Sequence, residues 1–63
     1  MLTETEAREY VASIEAKWYG KPSPILSVAY APVDGLPCFA IDTEENPFWQ
    51  VWREPTGEIY GEC

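Results

Sequence analysis

An α+β domain is the fold this sequence predicts: an N-terminal helix packed on a three- to four-stranded antiparallel meander, with residues 1–63 forming one unit. Three observations carry that prediction. A helical apolar stripe opens the chain; Gly20, Pro22 and Pro24 close it; and the remainder divides into short apolar segments separated by proline, glycine and acidic turns.

The helix begins near Thr3 or Glu4, because Thr3 followed three residues later by Glu6 is a capping-box pattern in which each residue satisfies the other's free backbone N–H. From there Ala7, Val11, Ile14 and Trp18 recur at steps of four, three and four, with Tyr10 beside them. This stripe is expected to face the core, leaving Arg8, Glu9, Ser13 and Glu15 on the opposite side. Glu4 and Arg8 sit at the favourable i,i+4 spacing, and Lys17 lies where the helix dipole welcomes a cation. Gly20 supplies the stop, and Pro22 and Pro24 forbid continuation.

Residues 25–31 alternate, which places Leu26, Val28 and Tyr30 on the face expected to meet the helix. Asp34-Gly35 between Pro32 and Pro37 is a turn signal, and residues 37–42 then set Phe39 and Ile41 against Cys38, Ala40 and Asp42. A polar turn over 43–47 leads to a third strand at 48–53. Glu54-Pro55-Thr56-Gly57 has proline at the second turn position and glycine at the fourth, so 58–61 is expected to return as a short last strand.

Composition narrows the function classes. Four Lys and Arg against eleven Asp and Glu give a net charge of −7, which repels phosphate backbones and argues against direct nucleic-acid binding. No apolar run is long enough to cross a bilayer, and the acidic start Met1-Leu2-Thr3-Glu4 is unlike a signal peptide, so a cytoplasmic protein is expected. Without histidine the Ser-His and Cys-His nucleophile pairs are missing, and an enzyme is not expected. Two cysteines are too few for a zinc site, and the 42–46 acidic run lacks the spacing of an EF-hand loop; neither metal nor cofactor is expected. In a reducing compartment Cys38 reads as a small buried hydrophobe and Cys63 as an exposed terminal thiol.

Binding remains. Trp49, Val51 and Arg53 project from one side of the third strand, with Phe48, Gln50 and Trp52 on the other. Side chains alternate with period two, so Trp49 and Trp52 cannot share the helix-facing side, and one of them becomes a candidate anchor for a partner. The sequence leaves open which one it is. Trp49, Trp52 and Arg53, with the acids Asp42, Glu44 and Glu45, form the candidate partner-binding set. A single helix covers one face of a sheet, and a core this small is marginal, so a protein partner or self-association would help to cover the other face.

The order helix, strand, strand, strand, ending in Trp52-Arg53-Glu54-Pro55-Thr56-Gly57-Glu58-Ile59, resembles PepSY-like domains, whose last hairpin often carries an acidic residue, then Thr-Gly-Glu and an aliphatic. That resemblance implies peptidase inhibition or interaction, in a family whose members are typically exported. The layout and acidity also resemble small bacterial immunity proteins that neutralise toxins. Neither resemblance assigns a site residue. The expected function is a small acidic interaction module, an inhibitor or immunity-like protein that binds a basic protein surface. A structural subunit bound through an apolar sheet face is the alternative.

Overall fold

A computed structural model describes residues Met1–Cys63. Helix α1 spans Glu4–Tyr19, and the strands β1 (Ile25–Tyr30), β2 (Cys38–Thr43), β3 (Trp49–Arg53) and β4 (Ile59–Glu62) follow in chain order. The four strands pair antiparallel in the order β1-β2-β3-β4, a meander with α1 packed on one face.

The capping box forms as its residues require: the Glu6 N–H donates to Thr3 Oγ1 at 3.1 Å and the Thr3 N–H donates to Glu6 Oε1 at 3.0 Å. Gly20 ends α1 in the left-handed region at φ 83°, where its N–H reaches the Ala16 carbonyl. Asp34 and Gly35 both take positive φ, and Val33 and Leu36 exchange both backbone hydrogen bonds, so the β1–β2 hairpin closes on the two-residue turn that suits the twist of its strands.

The core is one layer between α1 and the sheet. Ala7 and Val11 of the helix meet Phe39, Ile41, Trp49 and Val51, and Leu2 folds in beside them ahead of the helix. Helix and sheet approach most closely at Gly61, where a Cβ would lie 2.9 Å from Tyr10 Cε1 and 3.2 Å from Trp49 Cζ3. Only glycine fits there, and its N–H donates to the Tyr10 hydroxyl at 3.1 Å.

Three side chains depart from the periodic reading, and a fourth, Tyr30, keeps its expected face opposite Phe39 but not its burial. Glu15, expected on the solvent side, is fully buried, because it continues the row of four-residue steps through Ala7 and Val11. Trp18, expected in the core stripe, is 54% exposed and lies stacked against Trp49 with ring centroids 5.6 Å apart. Leu26, expected to face the helix, points away: a bulge sets Ile25 opposite Thr43 and Ser27 opposite Asp42, so Leu26 is the extra residue and Ile25 takes its place against the core. Tyr30, next to the hairpin on the edge strand, keeps only one flank covered, by Phe39. At the strand ends, β2 runs one residue further, to Thr43; β3 begins at Trp49, leaving Phe48 outside the ladder; and β4 lies one residue later than the turn chemistry places it.

Candidate functional site

Glu15 fixes the geometry around which the site is arranged. Its carboxylate accepts hydrogen bonds from Ser23 Oγ at 2.5 Å, Thr43 Oγ1 at 2.7 Å, Trp49 Nε1 at 2.9 Å and Asn46 Nδ2 at 3.0 Å. Burial penalises the charge, but these donors more than offset it and lower the pKa from 4.5 to about 2. One helical side chain thereby gathers the loop after α1, the end of β2 and the start of β3. Asn46 extends the network to the Tyr19 hydroxyl at 3.0 Å. The only sequence signal for this arrangement was the position of Glu15 in line with Ala7 and Val11.

The opposite face of the sheet carries no helix. Cys38, Ala40 and Asp42 of β2, Gln50 and Trp52 of β3, and Tyr60 and Glu62 of β4 alternate away from the core. Trp52 is paired across the strands with Cys38 on one side and Tyr60 on the other. Its indole stacks on the Tyr60 ring with centroids 6.5 Å apart and 25° between planes. Trp52 Nε1 donates to Glu54 at 3.2 Å, and the Tyr60 hydroxyl donates to Glu58 at 2.7 Å, so a glutamate brackets each ring. The Glu58 hydrogen bond, with the glutamate's charge, raises the Tyr60 pKa.

Two depressions share Gln50 and Glu62 on this face. One, of about 230 Å³, is lined by Cys38 and Trp52, by the hairpin residues Val33 and Leu36 and by the acids Asp34 and Glu62. The other runs from Asp42 to Phe48 and Cys63. Neither is lined by a lysine or arginine. Large apolar side chains stand exposed around them, Leu36 at 66% and Phe48 at 78%.

Phe48 is held in an unusual conformation. Its φ is 71°, in the left-handed region that disfavours bulky side chains, and its N–H donates to Asp42 Oδ1 at 2.9 Å while Ser27 Oγ donates to Oδ2 of the same carboxylate at 3.1 Å. An aromatic ring is thus held out in solvent at a backbone cost. Phe48→Gly is expected to raise stability by about 1 kcal/mol by relieving that cost. The check is a higher urea midpoint at an unchanged denaturant slope; a lower midpoint would show that the ring contributes packing.

The residues singled out from sequence divide between the helix side, the uncovered face and a third surface near the end of α1. Trp49 is 1% exposed, locked by Glu15, by Trp18 and by an edge-to-face contact with Tyr10 at 6.3 Å, so it presents no surface to a partner. Arg53 also points to the helix side, where Nη2 pairs with Glu6 at 2.6 Å and Nη1 donates to the Gly57 carbonyl at 2.6 Å, tying β3 to the start of α1 and to the β3–β4 turn. Glu44 and Glu45 lie with Lys21 and Tyr19 on a separate surface near the end of α1. Trp52 and Asp42 remain on the uncovered face. Val33, Leu36 and Tyr60 join them there, as does Phe48, which spacing had already placed on the Trp52 side; the first three were not in the candidate set, because spacing gave no measure of how the hairpin tip lies against the sheet.

Burial raises the pKa of the Cys38 thiol, and burial together with the Glu15 charge raises that of Cys63, so both are protonated at neutral pH and poor nucleophiles. Nowhere do three or more Cys, Asp or Glu side chains converge as metal ligands. No helix is long and apolar enough to cross a membrane. The arrangement is that of a helix-backed sheet with one uncovered face, aromatic at its centre and acidic at its rim. Comparison with protein-family models, with curated proteins and with solved structures finds no match for the chain.

Proposed function

We propose that the protein is a small acidic interaction module whose uncovered sheet face binds a basic protein surface, in the manner of an inhibitor or immunity-like protein. The observation that supports this reading is that acids without ion-pair partners and exposed apolar side chains share the uncovered face of the sheet. Asp34, Asp42 and Glu62 line the depressions beside Trp52 and Phe48, while both ion pairs of the molecule, Arg8 with Glu4 and Arg53 with Glu6, involve the helix. Acids without cationic neighbours attract a positively charged partner over long range and disfavour others, and the exposed aromatics provide the area that a complex buries. A reducing cytoplasm is the compartment this reading assigns, consistent with two unpaired cysteines.

The test is capture from native lysate, after nuclease treatment, with washes at low and then high salt. The tagged protein is compared with the combined variant Asp34→Asn, Asp42→Asn and Glu62→Gln, and with Glu44→Gln plus Glu45→Gln as a control on the other surface. A basic protein released by salt, lost with the first variant and kept with the control, is the expected outcome. A partner that resists salt and tolerates the first variant would overturn the reading in favour of a structural subunit bound through apolar contacts alone.

A further inference from the structure

Resting on the interaction reading above, we infer that the depression over Cys38 receives one arginine side chain of the basic partner protein. Its stem lies along Val33 and Leu36, and its guanidinium sits between the Trp52 indole and the carboxylates of Asp34 and Glu62.

The shape and chemistry of the depression favour this occupant. Tyr60 stacks on one side of Trp52, and the depression opens on the other, the Cys38 side. Its lining combines Val33, Leu36, Cys38 and Trp52 with the acids Asp34 and Glu62, which matches a side chain with a hydrocarbon stem and a cationic head. An uncharged apolar group would cover Asp34 and Glu62 without giving them a hydrogen bond, and an anion would be repelled. Asp34 and Glu62 take part in neither ion pair of the molecule, so their charges are free for a ligand. Guanidinium is preferred to ammonium because it is planar, weakly hydrated and stacks on an aromatic face while still donating to carboxylates.

The experiment titrates the isotope-labelled protein with N-acetyl-arginine amide, with the corresponding lysine amide and with the neutral isostere N-acetyl-citrulline amide. NMR follows the Trp52 indole N–H and the backbone amides of Cys38 and Gln50. Saturable shifts at these three groups are expected with arginine, with binding about fivefold weaker for lysine and weaker still for citrulline. Trp52→Leu should abolish the response and Glu62→Gln should weaken it about threefold, each in a protein whose other amide resonances keep their positions. Equal binding of citrulline, shifts confined to the Glu44–Glu45 surface, or no response would overturn the inference. Capture of a basic partner through the uncovered face without an arginine response removes this assignment and leaves the proposed function standing. An arginine response without any basic partner removes the proposed function instead.

Discussion

Replacing Glu15 by alanine is expected to unfold most of the protein at neutral pH. The substitution deletes the shared acceptor of Ser23, Thr43, Asn46 and Trp49, leaving a buried indole N–H, a buried hydroxyl and a part-buried amide to find new partners. Glu15 is the only charge in the cluster, so its removal leaves neutral donors, and each buried donor left unsatisfied costs about 1–3 kcal/mol. A domain of this size has only about 3–9 kcal/mol in total, so the variant should lose cooperative urea unfolding and native circular dichroism. Glu15→Gln keeps the volume and one acceptor oxygen but turns an N–H₂ toward donors, so an intermediate loss of about 2 kcal/mol is expected. A Glu15→Ala protein that unfolds at the wild-type urea midpoint would show that the cluster adds nothing net.

The same carboxylate sets an acid limit. Its folded pKa of about 2 lies below the ordinary value of 4.5, so its stabilisation is fully present above about pH 4.5 and disappears as pH falls toward about 2. The shift corresponds to about 3 kcal/mol. Glu6 acts in the same direction, its pKa lowered by the Thr3 backbone N–H and by Arg53. Stability measured from pH 6 to pH 2 should therefore fall with acidification, and Glu15→Gln should flatten much of that slope. A wild-type stability that is level across this range would contradict the assignment.

The second large effect separates the two tryptophans of β3. Trp49→Ala removes a fully buried indole that stacks on Trp18, meets Tyr10 edge-on and donates to Glu15, and a loss of about 3–5 kcal/mol is expected. Trp52→Ala removes a part-buried indole from the uncovered face, where it stacks on Tyr60 and donates to Glu54, and about 1 kcal/mol is expected. Binding should follow the opposite order: Trp52→Ala remains folded and loses capture of the basic partner, whereas Trp49→Ala loses capture only as it unfolds. Urea unfolding and salt-washed capture of the two variants provide the check. A larger stability loss for Trp52→Ala than for Trp49→Ala would mean that the sheet faces are assigned the wrong way round, and full capture by folded Trp52→Ala would remove the aromatic centre from the interface.

That contrast also marks what was legible in the sequence. The order of elements followed from local signals that act over a few residues: the Thr3–Glu6 box, the Gly20 stop, the Asp34-Gly35 turn and the proline-glycine turn at 54–57. Period-two alternation put Trp49 and Trp52 on opposite faces of β3, and the strand bears this out. Alternation alone has no sign, however. Only the packed helix decides which face is inside, and it chose Trp49, Val51 and Arg53 because β4 presents Gly61 there, the one residue small enough for Tyr10 to pass.

Other features are set over distances that spacing does not measure. A glutamate in helical register with alanine and valine reads as a solvent-side charge until Ser23, Thr43, Asn46 and Trp49 arrive from as far as 34 residues away to supply its hydrogen bonds. Leu26 reads as core until the β1–β2 pairing inserts it as the extra residue of a bulge. Phe48 reads as a strand residue until Asp42 holds its N–H in a left-handed turn. Sequence by itself determined the class of fold, the order of its elements and the acidic character of its surface, since these depend on local backbone preference and on composition. Tertiary structure alone decided which charge is buried, which tryptophan is presented and which acids stand beside it, because burial and hydrogen-bond satisfaction belong to groups that meet only when the helix closes on the sheet.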